Sequence, residues 1–92
     1  MSNYRIFETN EFIKRVEKIP SKDKLFIEKK LALHIYPQLK EEPYFGNNIK
    51  NLTDYKPDTW RYRIGKYRLF YAVDEKEKTI FLLSIDLRKD VY

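Results

Sequence analysis

The chain has 92 residues, which is long enough for one core and predicts a single domain over residues 1–92. Its 19 basic and 14 acidic residues leave a formal net charge of +5, a modest excess that does not by itself indicate nucleic-acid binding. The chain has no cysteine, which excludes disulfides and thiolate metal sites, and its two glycines and four prolines argue against a disordered chain.

The sequence also predicts the location of the protein and whether it needs a metal or a cofactor. No apolar run is long enough to span a membrane, and the first residues, MSNYRIFETNEF, lack the apolar stretch of a signal peptide. We therefore expect a cytoplasmic protein with no membrane partner. No glycine-rich phosphate loop and no histidine or cysteine spacing typical of a metal site occurs, so we expect no metal and no small-molecule cofactor.

The first half of the chain predicts a strand and two helices. A strand covers Tyr4–Thr9, and Asn10 is then a candidate N-cap for a helix that Pro20 ends. A second helix begins with Ser21 as its cap and ends at Pro37. Each helix has apolar residues at helical spacing: Phe12, Ile13, Val16 and Ile19 on the first; Ile27, Leu31 and Ile35, flanked by Leu25, Ala32 and Tyr36, on the second.

A long connection from Pro37 to Asp58 carries no clear pattern, although Ile49 and Leu52 are candidates to attach it to the core. Three strands follow, TWRYRI, YRLFYAV and TIFLLSIDL, with a turn at Gly65–Lys66 between the first two. The last is the most apolar and is predicted to be central. The order β-α-α-β-β-β predicts an α+β fold: a small single domain with a mainly antiparallel sheet and a helical hairpin packed on one face.

Basic residues cluster in the second half of the chain. In TWRYRI the alternation places Trp60, Tyr62 and Ile64 on one side and two arginines, Arg61 and Arg63, on the other, about 7 Å apart by strand geometry. Arg68 follows the turn on the next strand and could lie close to both. The paired N–H donors of arginine side chains bind phosphate oxygens well, but a solvent-exposed basic face without any function would show the same pattern.

Other candidates carry less information on their own. The segment DLRKDVY would bring Arg88 and Tyr92 to the end of the last strand, but a terminal tyrosine is often only packed or frayed. His34 falls on the helix face opposite the apolar stripe, together with Lys30 and Asp23, which predicts a solvated side chain.

Taken in order, four segments resemble the RelE/ParE superfamily of toxins from type II toxin–antitoxin pairs, and within it the RelE-like mRNA interferase branch. They are FIKRVEKIP, YPQLKEEPYFGNNIKNL, DTWRYRIGKYRLFYAVDE and LLSIDLRKDVY, and they cover nearly the whole chain. The resemblance implies the fold described above. It also implies a ribosome-dependent endoribonuclease that cleaves translated mRNA and is held inactive by a cognate antitoxin, with the ribosome, its bound mRNA and the antitoxin as partners.

The resemblance also implies a set of site residues. Arg61 and Arg63 match basic residues that bind the scissile phosphate and assist proton transfer, and Arg68 matches an arginine that stabilises charge on the phosphate. Arg88 and Tyr92 match an arginine and a tyrosine at the C-terminal end of the active site. Additional substrate contacts are expected from Lys66, Lys89 and Trp60. Many relatives carry a histidine just before the last arginine, where this chain has Leu87.

The implied reaction is attack of a ribose 2′-oxygen on the adjacent phosphate, without a metal. Arginines can stabilise the added charge, but an arginine is protonated at every physiological pH and a tyrosine has an ordinary pKa of about 10, so both titrate far from neutrality. Tyr92 is the candidate base because neighbouring cations lower a tyrosine pKa, and Asp86 and Asp90 are the alternatives. Two other hypotheses stay open: a ParE-like inhibitor of DNA gyrase, and a catalytically weak relative that only binds an antitoxin.

Overall fold

The computed structural model describes residues 3–87, which form five strands and a helical layer. The elements in chain order are β1 (Arg5–Glu8), α1 (Asn10–Glu17), α2 (Ser21–Lys30), a π-helical turn (Leu31–Ile35), α3 (Tyr36–Glu41), β2 (Ile49–Leu52), β3 (Thr59–Ile64), β4 (Tyr67–Asp74) and β5 (Thr79–Leu87). No helix within this part of the chain is long and apolar enough to cross a membrane.

The strands form one mixed sheet in the order β1-β5-β4-β3-β2. β1 runs parallel to β5, and the other neighbouring pairs are antiparallel. The predicted α+β fold is therefore confirmed. β2 was not expected. β5 lies inside the sheet, paired with β1 on one side and β4 on the other, as predicted for the most apolar strand.

The prediction of Asn10 as the first helix cap was wrong by one residue. Thr9 is the N-cap: its Oγ1 accepts the Phe12 backbone N–H at 3.2 Å and donates to the Leu82 carbonyl at 2.6 Å. The same hydroxyl thus caps α1 and attaches it to β5. Ser21, the predicted cap of the second helix, is its first residue instead, and Pro20 occupies the cap position without a side-chain hydrogen bond.

Pro37 does not end the second helix, which was predicted to stop there. The backbone widens into a π-helical turn, in which the Tyr36 N–H donates to the Leu31 carbonyl. Pro37 then falls in the first turn of α3, where its missing N–H and its ring are tolerated. The helix continues to Glu41, which lets Leu39 reach the core with none of its surface exposed.

One core fills the space between the helices and one face of the sheet. Its fully buried members include Ile27 and Leu39 from the helices and Leu69, Tyr71 and Leu82 from the strands. The alternation predicted for β3 is observed, with Tyr62 and Ile64 buried on this inner face.

The connection before β3 is attached to the core at two points. Ile49 packs against the core as predicted, and the buried Tyr71 hydroxyl donates to the Pro43 carbonyl at 2.6 Å. Leu52, which was also expected at the core, instead lines a groove on the opposite, outer face of the sheet. The pairing of β2 with β3 accounts for this placement, because Leu52 is opposite Thr59 in that ladder.

Glu75, in the β4–β5 turn, connects that turn to two distant segments. Its carboxylate accepts hydrogen bonds from the ammonium of Lys78 at 2.7 Å, from the hydroxyl of Tyr4 at 2.6 Å and from the hydroxyl of Tyr44. These three donors, with Lys78 contributing most, lower the Glu75 pKa from 4.5 to about 2.

Glu75 is therefore expected to make part of the stability depend on acid pH. Because its pKa is lower in the folded than in the unfolded chain, its contribution is complete above pH 4.5 and is lost as the pH falls towards 2. In Glu75→Gln the decline of the urea midpoint between these pH values should be shallower than in the wild type. Glu77→Gln in the same turn is the control; an equal effect of both substitutions would contradict the assignment.

Candidate phosphate-binding site

A groove of about 430 Å³ lies on the outer face of the sheet, away from the helices. It crosses four strands from β2 to β5 and includes the loop after β2. The lining residues are Leu52, Tyr55, Thr59, Arg61, Arg68, Phe70, Leu83, Ser84 and Asp86.

Strand register brings three arginines to this face. Arg63 is directly opposite Arg68, which is itself opposite Asp86, so these residues form one row across three strands. Arg61 belongs to the neighbouring row, opposite Phe70. Residues directly opposite each other share a face and have Cα atoms about 4.5–5.5 Å apart, so the arginines are close neighbours.

Lys50 adds a cation that the sequence did not indicate. It lies opposite Arg61 on β2 and therefore belongs to the same outer face, where it is exposed. The only signal that could have revealed it was the short run IKNL, which is too brief and too polar to predict a strand by itself.

Arg68 has the most unusual environment in the groove. Its guanidinium carbon lies 5.4 Å from the centre of the Phe70 ring, and its Nε is buried without a hydrogen-bond partner in the structure. Buried polar groups are nearly always paired, and an unpaired one costs about 1–3 kcal/mol. Within residues 3–87 no carboxylate forms an ion pair with Arg68, so its positive charge is available to a ligand in the groove.

The acidic neighbour of Arg68, Asp86, forms its ion pair with a different arginine. Asp86 forms an ion pair with Arg15 of α1, and Arg15 also binds Glu11 at 2.6 Å. Both carboxylates raise the Arg15 pKa, Glu11 through its hydrogen bond and Asp86 through its charge. Arg15 therefore neutralises Asp86, so the negative charge beside Arg68 is offset and the groove keeps its positive character.

Two predicted substrate contacts lie away from the groove. Trp60 is on the inner face, packed against the core, with its ring 5.0 Å from that of Tyr44. Lys66 is in the β3–β4 turn and lies 3.5 Å from the Asp23 carboxylate of α2. For Trp60 this position agrees with the alternation of TWRYRI, which places it on the side opposite Arg61 and Arg63. We leave both out of the candidate site.

The remaining candidates concern the end of the chain. Arg88, Lys89, Asp90 and Tyr92 lie outside the described residues, so their predicted roles stay predictions. Leu87 is opposite Tyr67, a core residue, and therefore belongs to the inner-face row. A histidine at this position would start from the side of the strand away from the groove, so the leucine removes no group from the groove face.

Metal ligands are not grouped in the described structure. Within residues 3–87, no three histidine, aspartate or glutamate side chains lie close enough together to hold a metal ion. His34 is exposed on the helix, as predicted.

This strand order and this helical layer define a small open-sheet α+β domain. The family model described as "ParE toxin of type II toxin-antitoxin system, parDE" matches residues 6–92. The chain therefore belongs to this family and is a toxin of a toxin–antitoxin system. The predicted superfamily is confirmed.

Solved structures support the same fold. The chain is similar to the toxin–antitoxin complex RelBE2 from Mycobacterium tuberculosis, with 25% identity and a TM-score of 0.70, covering 94% of this chain and 99% of that chain. It is also similar in fold to the isolated RelE toxin of E. coli, with 22% identity, a TM-score of 0.66 and coverage of 94% and 85%. The archaeal RelE–RelB complex from Pyrococcus horikoshii gives 24% identity, a TM-score of 0.60 and coverage of 97% and 99%. No curated protein matches the sequence significantly.

Proposed function

We propose that this toxin is a ribosome-dependent endoribonuclease that cleaves translated mRNA. The observation that carries the proposal is the group of three arginines on the outer face, where Arg68 lies opposite Arg63 and Arg61 belongs to the neighbouring row of the same groove. A bound phosphate would neutralise this clustered positive charge. Arginine binds phosphate through paired N–H donors of fixed geometry, and this arrangement suits a single phosphodiester.

The proposed reaction is attack of a ribose 2′-oxygen on its own 3′-phosphate. Arg61 and Arg63 would hold the nucleophile and the phosphate, and Arg68 would stabilise the negative charge that grows on the phosphate oxygens. Such preorganised charge stabilisation is usually the largest single contribution to catalysis. The 2′-oxygen and the leaving 5′-oxygen belong to the same RNA strand, so the reaction requires only proton transfers and charge stabilisation, and a metal is not needed.

Proton transfer is assigned to the end of the chain. Tyr92 is the proposed base and Arg88 the proposed partner of the leaving oxygen, the roles that the resemblance implies for them. Both are weak proton carriers near neutral pH, so much of the rate must come from the placement of the RNA. Orientation can contribute about 7–11 kcal/mol, which agrees with a substrate presented by the ribosome.

The proposed inhibitor is a cognate antitoxin protein that covers the groove. The similar structures from M. tuberculosis and P. horikoshii are complexes of a toxin with its antitoxin. An antitoxin segment with carboxylates could occupy the positions of the RNA phosphates, because Arg68 and Arg63 form no ion pair within residues 3–87.

A second candidate function is inhibition of DNA gyrase. The matching family model is that of ParE toxins, which favours this alternative, and binding to gyrase would need no phosphate chemistry. The third possibility is a relative that binds its antitoxin without cutting RNA. The groove favours the nuclease, because it places Arg61 and Arg68 in one concave surface that suits a phosphodiester.

One experiment separates these functions. The toxin is induced in cells, translated mRNA is mapped by primer extension, and gyrase supercoiling is measured with the purified protein. The proposal predicts new 5′ ends within translated regions and normal supercoiling. Inhibited supercoiling with intact mRNA would establish the gyrase function instead, and neither effect would indicate the inactive relative.

Asp86→Asn is expected to retain mRNA cleavage and to bind RNA about two- to fivefold more tightly, the range measured for exposed charge pairs. The reason is that Asp86 is neutralised by Arg15 and adds only residual negative charge to the groove. Arg15→Ala should have the opposite effect, because it leaves the Asp86 carboxylate unpaired beside Arg68. A hundredfold loss of cleavage in Asp86→Asn, with RNA binding intact, would show instead that Asp86 is the base.

A further inference from the structure

A second basic pocket lies at the edge of the sheet, between the helical layer and the start of β2. It has a volume of about 250 Å³ and belongs to a different part of the surface from the groove. Its lining residues are Lys30, His34, Ile35, Asn48, Tyr62, Arg63, Ile64 and Gly65.

The charge of this pocket is one-sided. Lys30 and Arg63 are cations, His34 can donate from a ring N–H, and none of the lining residues is acidic. All three side chains are exposed, and within residues 3–87 no carboxylate forms an ion pair with Lys30 or Arg63. An uncompensated group of cations around a concave surface favours an anionic ligand.

Arg63 joins the pocket to the groove. It lines the pocket, and it is also opposite Arg68 in the β3–β4 ladder, in the row that crosses the outer face. The position of its backbone is fixed, because the Arg63 N–H donates to the Asn48 carbonyl at 2.9 Å. The positive surface therefore continues from Arg68 across Arg63 and over the β2–β3 edge to Lys30 and His34.

We propose that this pocket binds the phosphate of an RNA nucleotide that flanks the one held in the groove. The inference rests on the proposed function, since it extends the path of the same RNA strand. A single strand presents consecutive phosphates, and a row of separated cations binds them through charge and hydrogen bonds without reading the bases. The expected ligand is thus a single-stranded RNA of several nucleotides.

The test uses the full-length protein and a labelled 2′-O-methyl RNA hexamer, which lacks the attacking hydroxyl and cannot be cleaved. Fluorescence anisotropy gives the affinity as a function of salt. Each phosphate contact contributes about 0.7 to the slope of log K against log salt for a single strand. Lys30→Gln should therefore lower the slope by about 0.7, and Lys30→Gln combined with His34→Gln should weaken binding further at low salt.

Lys29→Gln is the matched control, because Lys29 is the exposed neighbour on the same helix and does not line the pocket. Equal slopes for Lys30→Gln and Lys29→Gln, or no binding of the hexamer by the wild type, would overturn the inference. It would also be overturned if the double variant lost affinity for the antitoxin alone, which would assign the pocket to a protein partner. If Lys30-dependent RNA binding is found but translated mRNA stays intact in cells, the inference stands and the nuclease proposal fails.

Discussion

Arg68→Ala is expected to reduce cleavage of translated mRNA by about 10²–10³-fold, the usual effect of removing one group that stabilises transition-state charge. Arg68 lines the groove and forms no ion pair within residues 3–87, so a phosphate bound in the groove gains a charge interaction there. Primer extension on induced cells, or cleavage in a reconstituted translation reaction, measures the effect.

The stability of the same variant provides an independent readout. Removing Arg68 takes away an unpaired buried N–H but also the contact between the guanidinium and Phe70. These effects oppose each other, so we expect the free energy of unfolding to change by less than about 1 kcal/mol. A loss of cleavage accompanied by unfolding would not support a role for Arg68 in the reaction.

Two further variants define the chemistry of this position. Arg68→Lys keeps the charge and loses the planar fork, so its cleavage should be intermediate between those of the wild type and Arg68→Ala. Lys76→Ala, in the exposed β4–β5 turn, removes a cation away from the groove and should cleave like the wild type. Undiminished cleavage by Arg68→Ala would remove the groove as the proposed active site.

Leu39→Ala is expected to lower the free energy of unfolding by about 2–5 kcal/mol, because it removes a fully buried side chain and leaves a cavity. For a domain of this size each kcal/mol corresponds to about 4–8 °C in Tm, so the decrease should exceed 8 °C. Thermal or urea denaturation followed by circular dichroism measures it.

Leu33→Ala is the matched control, with the same chemical change in the same continuous helix. Leu33 is 65% exposed and lies in the π-helical turn, so its loss should cost less than about 1 kcal/mol. Similar destabilisation by the two substitutions would show that the helix does not continue through Pro37 in the way the structure describes.

Local patterns in the sequence were sufficient for much of the fold. The alternation of TWRYRI predicted that Arg61 and Arg63 would face away from the core, because successive strand residues point to opposite sides. The same pattern could not reveal that Arg15 neutralises Asp86, since the two residues are separated by 71 positions and meet only when α1 packs on β5.

The helix end shows a different limit. Proline normally disrupts a helix, so Pro37 predicted the end of the second helix. In the structure a π-helical turn precedes Pro37 and places it in the first turn of α3, where proline is tolerated. Burial of Leu39 stabilises this arrangement, and the stabilisation depends on the sheet against which the helix packs.

The sequence by itself determined the domain class, the separation of the arginines from the apolar face of β3, and the resemblance to RelE/ParE toxins. These properties depend on short periodicities and on the order of segments, both of which are local. Only the tertiary structure decided that Arg68 has a buried, unpaired N–H, that Lys50 joins the outer face and that Lys66 lies beside Asp23 of α2. The reason is that burial, pairing and the meeting of distant strands arise from strand register and packing, which no short segment specifies.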